Sequence, residues 1–425
     1  MSENNLPVTP LLPGDELAHF VAAYFDRKHL YQNIIQKYGS PLWILESSTL
    51  KQNAQKFTAA FNQFFPETSF YFAMKSNNHP EVSATLLESG FGLDVSSGVE
   101  LTSALALGAK DIIFSGPGKT NEELALAISH ADRTTILLDS LGELERLKTL
   151  TSESDSTTCV RVGIRLTTNP NGLWRKFGIV PELLITFWNE VKDLPNIRFK
   201  GLQFHSSWNL TPDRQVEFIC LLGKILNRMP ARFNESIEFI DIGGGYWPEE
   251  GEWLQFAGTK EGLAQKESGN NQGAADNHYR IPSTPIEIFA KTLYRAMDAH
   301  IFPQVNCRIC FEPGRWICHS AMHIFFTAVD KKDHDLVITD AGTNAIGWER
   351  FEIDYFPILN LSQSSLTEKA CDIFGSLCTP HDVWGYSYFG KDIKVGDLLM
   401  IPCQGSYTYS LGQNFIKPLP LVVKI

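Results

Sequence analysis

Apolar and polar residues alternate along this chain in two different grammars. From residue 47 to residue 305, short apolar runs alternate with stretches of helical period. Phe70–Met74, Gly92–Val95, Ile112–Ser115, Thr135–Leu138, Arg161–Leu166, Gly201–His205 and Glu238–Ile242 read as strands. Pro80–Glu88, Gly98–Leu107, Asn121–His130, Leu141–Thr149, Val180–Val191, Pro212–Asn227 and Pro285–His300 read as the helices between them. Continuous apolar strands alternating with helices predict a parallel sheet covered on both faces. Seven or eight such units predict a closed (β/α)8 barrel rather than an open sheet.

From about Asn306 the helical period fades. Arg308–Phe311, Ala321–Asp330, Asp335–Thr339, Asp372–Phe374, Leu398–Ile401 and Pro418–Ile425 read as strands punctuated by Gly and Pro, which predicts an all-β domain over 306–425. Residues 1–46 precede the barrel. Asp15–Tyr38 reads as helices, with Leu17, Phe20, Val21, Tyr24 and Phe25 on one face, and Leu42–Leu45 reads as a strand. Ser47–Phe65 opens the barrel as a helix with Leu50, Ala54, Phe57 and Phe61 in register. One stretch, 249–280, breaks the barrel rhythm: it is polar and long, and reads as a solvated insertion or a flap.

Composition narrows the function classes. The chain has 425 residues, 43% hydrophobic and 20% charged, with a formal net charge of −11. No basic face is evident, which argues against a nucleic-acid partner. No run approaches the length needed to cross a bilayer, and Met1–Gly14 has neither the basic nor the apolar region of a secretory signal. Eight irregularly spaced cysteines fit reduced thiols in a cytoplasmic protein. Cys307 and Cys310 form a CxxC with Cys318, His319 and His323 nearby. No second pair follows at the spacing a zinc site needs, so small buried cysteines are expected instead and no metal is assigned.

The candidate chemistry begins at Lys75, which ends the apolar run Phe70–Met74. Ligands of α/β folds bind at the carboxyl ends of the strands. An ammonium buried there loses proton affinity, which frees its amine for Schiff-base chemistry with a carbonyl cofactor; the alternative is a lysine that starts a surface loop. Gly243-Gly244-Gly245 follows a strand and lets backbone N–H groups approach an anion, or else makes a tight turn. It lacks the spacing of a dinucleotide fingerprint. Gly116-Pro117-Gly118-Lys119-Thr120 looks like the end of a P-loop, but the glycine required at 113 is Ile113.

Eight stretches, in order, resemble the fold-type III pyridoxal-phosphate decarboxylases, the barrels similar to alanine racemase that include diaminopimelate, ornithine and arginine decarboxylases. They are Phe70–Asn77, Gly92–Leu101, Gly201–His205, Ile240–Tyr246, Glu312-Pro313-Gly314-Arg315, Asp340–Asn344, Cys378 with Asp382, and Gly405-Ser406-Tyr407. The resemblance implies a (β/α)8 barrel plus a C-terminal β domain that a strand near the N-terminus, here Leu42–Leu45, joins. It implies pyridoxal 5'-phosphate on Lys75, His205 stacked on the ring, the three glycines at the phosphate, and Tyr407 reaching the cofactor. Glu312 would face the pyridine nitrogen and keep it protonated; alanine racemases place an arginine there, so the glutamate favours a decarboxylase. Arg315 would hold substrate or phosphate. Cys378 would act as general acid across a homodimer interface, with Asp382 binding the substrate amine.

A racemase or epimerase on the same scaffold and a non-catalytic regulator are the alternatives. Where diaminopimelate decarboxylases carry partners for the distal end of their substrate, this chain has Trp348, Glu352 and Thr379, and Ser206-Ser207 after the histidine also departs from the family pattern. A different or bulkier amino-acid substrate is expected, from siderophore or other secondary metabolism.

Overall fold

The computed structural model describes residues 9–153, 159–267, 277–347 and 353–425. They form two compact units. One comprises residues 50–247 and 284–317; the other comprises the N-terminal residues to 49, residues 248–283 and residues 318–425.

The first unit is a closed barrel of eight parallel strands: Thr68–Ala73, Gly92–Val95, Ile112–Phe114, Thr134–Leu138, Val160–Leu166, Ile197–Phe204, Phe239–Asp241 and Arg308–Phe311. Sequence grammar placed the last of these in the β domain. It instead closes the barrel, pairing Ile309 with Thr68 on one side and with Ile240 on the other. Inside the barrel Tyr71, Ile113, Leu137, Phe239 and Cys310 form one buried cluster. The Phe239 ring has room because Gly163 and Gly201 face it; a Cβ on either would stand 3.0 Å or less from that ring. Outside, the helix Ser47–Asn62 lays Phe57 and Phe61 against Phe70, Phe311 and Tyr246. Each such fully buried side chain contributes roughly 1.5–3 kcal/mol.

In the second unit an eight-stranded sheet runs in the order Leu336–Thr339, Glu368–Phe374, Val383–Phe389, Leu359–Asn360, Leu398–Ile401, Met322–Asp333, Leu42–Leu45, Leu421–Lys424. Leu42–Leu45 is antiparallel to Met322–Asp333 and parallel to Leu421–Lys424. The helices Gly14–Phe25 and Lys28–Tyr38 bury Leu17, Val21 and Tyr31 against Leu42, Ile44, Phe325 and Met400. A buried carboxylate sits in this core. Glu46 accepts from Arg27 at 2.6 Å and Tyr31 at 2.7 Å, with His323 Nε2 3.3 Å away. Burial works against its charge, yet these partners hold the carboxyl well below the usual range.

Of the stretch 249–280, residues 268–276 lie outside the described residues, and the remainder carries regular structure where composition suggests a solvated insertion. Glu252–Leu254 pairs antiparallel with Tyr279–Ile281, and Lys260–Glu267 is helical. His278 stacks on Tyr355 with ring centroids 3.5 Å apart, and its Nε2 lies 2.9 Å from the Glu368 carboxylate. Backbone pairing and a few aromatic anchors override a polar composition here. The segment groups with the β unit rather than with the barrel.

Candidate active site

Five groups of the barrel converge at the carboxyl ends of its strands. The first strand ends at Ala73, and Met74–Ser76 makes a single 3-10 turn that carries Lys75. The expected lone ammonium is ion-paired: Lys75 Nζ lies 2.8 Å from Asp94 Oδ2. Asp94, in the second strand, is fully buried, and its other oxygen accepts from Ser115, the residue after the third strand. Burial raises the Asp94 carboxyl, as does the charge of Glu312, while Lys75 opposes both.

His205 follows the sixth strand. Gly244 N–H donates to its Nδ1 at 3.1 Å, and burial lowers its proton affinity, so the ring is neutral with its proton on Nε2. The Glu312 Oε2 atom lies 3.5 Å from the same Nδ1. That nitrogen is already an acceptor, so the two groups touch without forming an ion pair.

Glu312, just after the eighth strand, is buried and accepts from Gln203 Nε2 at 3.3 Å. Burial alone would raise its carboxyl; the charge of Lys75 and a hydrogen bond from Asp241 are among the influences that outweigh it and hold it at about 2. Asp241 is the opposite case. It is buried beside Glu312, and burial first, then the Glu312 charge, push it well above the carboxylate range. Two adjacent buried carboxyls do not both ionise. Asp241 keeps the proton, and Glu312 keeps the charge.

The glycine turn is laced into this cluster. Gly243 and Gly245 have φ of 75° and 82°, in the left-handed region. A Cβ on Gly244 would stand 2.2 Å from the Glu312 carbonyl oxygen. Two of the three amides are spent internally, Gly243 N–H on Asp241 and Gly244 N–H on His205. That leaves Gly245, for whose amide no bond occurs among the described residues. Arg315 is half-buried, its guanidinium 4.2 Å over the Trp247 ring.

An amine, a neutral flat imidazole, an ionised buried carboxylate and a side-chain-free turn with an available amide match what pyridoxal phosphate asks of a protein. The P-loop look-alike does not compete. Lys119 is buried, donates to the carbonyls of Gly116 and Leu137, and pairs with Glu143 at 3.0 Å.

The remaining candidates lie in the β unit. Cys378 is exposed. Asp382 is buried and anchors the same turn: Oδ1 accepts from the Thr343 amide and hydroxyl, and Oδ2 from Leu377 N–H. These contacts are those of a turn-capping carboxylate. Tyr407 is half-buried with φ 55°. Trp348 and Glu352 lie outside the described residues; Thr379 is half-buried.

Comparison with known proteins decides the family. Residues 50–319 match the family described as pyridoxal-dependent decarboxylase, pyridoxal binding domain, and residues 315–405 match its C-terminal sheet domain. The chain belongs to the pyridoxal-dependent decarboxylases. It is 25% identical to diaminopimelate decarboxylase of Zymomonas mobilis over 414 residues, covering 92% of this chain and 88% of the relative. It is 26% identical to 2-[(L-alanin-3-ylcarbamoyl)methyl]-2-hydroxybutanedioate decarboxylase of Staphylococcus aureus, covering 81% and 84%. The crystal structure of diaminopimelate decarboxylase from M. jannaschii superposes with a TM-score of 0.77 at 22% identity, over 92% of this chain and 88% of that one. Lysine/ornithine decarboxylase from Vibrio vulnificus gives 0.74 at 22%, over 94% and 98%.

The protein is therefore a pyridoxal-phosphate-dependent amino-acid decarboxylase, and the racemase and regulator alternatives fall away. Among the described residues no helix is long and apolar enough to cross a membrane. Sequence reasoning did not assign roles to Asp94, Ser115, Gln203 or Asp241. Asp94 and Asp241 had a signal: each is an acid inside an apolar run at a strand end, and a buried charge there must be paired or protonated.

Proposed function

We propose that Lys75 carries the cofactor through its amine, and that the substrate is an α-amino acid attached to a larger anionic body. When bound, pyridoxal phosphate supplies an electron sink for the pair left behind by the departing carboxylate. The chain's own groups do the rest. Ionised Glu312 accepts a hydrogen bond from the ring nitrogen and so keeps a proton there. Neutral His205 offers its face to the ring without adding charge. The Gly245 amide and Arg315 hold the phosphate. Cys378, supplied by a second copy of the chain, returns a proton to the substrate carbon. The observation that carries this reading is the convergence of Lys75, His205, Glu312 and the Gly243–Gly245 turn at the carboxyl ends of the barrel strands.

Two relatives support the larger substrate. The Staphylococcus aureus enzyme is named for an alanine unit joined through a carbamoyl link to a hydroxybutanedioate. The Niallia circulans relative, 24% identical, is named for a glutamyl group on an acyl-carrier protein. In this chain the position after Cys378 is Thr379, with no charge for a distal ammonium. Carbon dioxide release should be fastest with an amide- or ester-linked amino acid bearing carboxylates, and slow with meso-diaminopimelate. Brisk turnover of meso-diaminopimelate would sink the substrate proposal. Eight cysteines, none of them in a disulfide, support a reducing, cytoplasmic setting.

The shared site has its own test. Lys75→Ala and Cys378→Ala should each be inactive alone. Mixed and re-associated, they should recover roughly a quarter of wild-type activity, since half the dimers are mixed and each has one intact site of two. No recovery after subunit exchange has been demonstrated would place Cys378 in the same site as its own Lys75.

A further inference from the structure

Two tryptophans at the mouth of the barrel are not used by the chemistry above. Trp208 comes three residues after His205, in the turn after the sixth strand, and Trp247 follows the glycine turn after the seventh. Their indole rings lie 5.7 Å apart, tilted by 36°. Arg315, after the eighth strand, sets its guanidinium 4.2 Å over the Trp247 ring. Trp247 is 7% exposed and Trp208 52% exposed. The inner indole is thus shielded from water, and the outer one backs it. Three successive turns are joined through Trp247, which meets the Trp208 ring and lies under the Arg315 guanidinium.

Hydrogen bonds hold the first two turns in place. Asn209 Nδ2 donates to the carbonyls of Ser206 and Gly244, and Asn209 N–H donates to Gly245 O. The fit is close enough that a Cβ on Gly245 would stand 2.3 Å from Ser206 O. Trp208 bears the consequence: its φ is 56°, in a region where a bulky residue is a genuine outlier. Such strain persists where surrounding contacts over-determine it, and it concentrates at ligand clamps. Here the over-determining contacts are the Asn209 bonds and the indole pair, both beside the amide of Gly245.

We propose that Trp247, backed by Trp208, is a seat that fixes Arg315 toward the cofactor phosphate at Gly245. Both tryptophans are then positioning residues for anion binding. The inference rests on the cofactor reading above and adds to it a device built from this chain's own side chains. A guanidinium on a flexible stem loses rotamer freedom when it grips an anion; one already resting on a shielded π-face has less to lose. The gain therefore falls on the phosphate alone and not on the pyridine ring or its aldehyde.

That selectivity is the test. The full-length protein, stripped of cofactor, is dialysed to equilibrium with pyridoxal 5'-phosphate and, separately, with pyridoxal, which lacks the phosphate. Trp247→Leu should weaken pyridoxal 5'-phosphate about tenfold or more, which corresponds to about 1.4 kcal/mol, and leave pyridoxal unchanged. Trp247→Phe, which keeps a π-face and most of the bulk, should restore much of the preference, and Trp208→Ala should fall between. Equal loss of both ligands in Trp247→Leu and Trp247→Phe would mean a structural role only and overturn the proposal, as would no loss of either. Wild-type protein that binds neither compound would overturn the cofactor reading itself, an outcome distinct from failure of the seat.

Discussion

Lys75→Ala should abolish carbon dioxide release and, with it, the visible absorption of the bound cofactor. A drop of at least about 10²–10⁴-fold is expected, the range that a single positioned catalytic group supplies. The loss is chemical and not a matter of folding, and the structure shows how to separate the two. Lys75 neutralises Asp94 at 2.8 Å, so alanine leaves a buried carboxyl without its cation. That carboxyl already tends upward from burial and from Glu312, and without Lys75 it takes up a proton instead of staying charged. The fold should survive. Lys75→Arg makes the point directly: a guanidinium preserves the charge opposite Asp94 but is never deprotonated in proteins, so it offers no free amine. It should stay folded and inactive. Borohydride reduction of the wild-type holoenzyme followed by peptide mapping should tag Lys75, and a tag on any other residue would withdraw the assignment.

Glu312→Gln should cost about 10²–10³ in kcat with a much smaller change in KM. With Glu312 at the ring nitrogen as proposed, the lost charge would matter most in the transition state, and a group that stabilises the transition state more than the bound substrate affects kcat more than KM. The variant keeps the size of the side chain and its contact with Gln203, so packing is a minor factor. A pH signature accompanies it. The folded value of Glu312, about 2, lies below its unfolded value, so its contribution to stability is present above roughly 4.3 and is lost as pH falls toward about 2. Wild-type protein should lose stability relative to Glu312→Gln across that window in urea titrations. A kcat within a factor of two of wild type would remove Glu312 from the ring nitrogen.

Much of this site was legible because its residues stand at strand ends, and apolar runs mark where strands end. Lys75 and the glycine turn were named that way; His205 and Glu312 came from the resemblance to the decarboxylase family. Their charge states were not. Whether Glu312 or Asp241 holds the proton depends on the spacing of two carboxyls brought together from the seventh strand and the end of the eighth, and on which nitrogen of His205 meets Gly244. No one-dimensional pattern carries those distances. The eighth strand itself was misplaced because a four-residue apolar run, Arg308–Phe311, followed by Pro and Gly reads equally well in a barrel or an antiparallel sheet. The pairing of Glu252–Leu254 with Tyr279–Ile281 was not legible, because backbone pairing leaves little trace in composition. For Asp382, the motif implied a role at the substrate, while both of its oxygens accept from Thr343 and Leu377.

Leu42–Leu45 lies between Met322–Asp333 and Leu421–Lys424, and this has a bearing on biosynthesis. A ribosome releases that tetrapeptide long before either neighbour exists. Its apolar side chains must stay chaperoned or loosely collapsed through most of translation, while the barrel, whose strands are nearly sequential, can mature as it emerges. Vectorial synthesis thus separates two maturation events, and mutations that slow the later one should surface as poor yield rather than poor turnover.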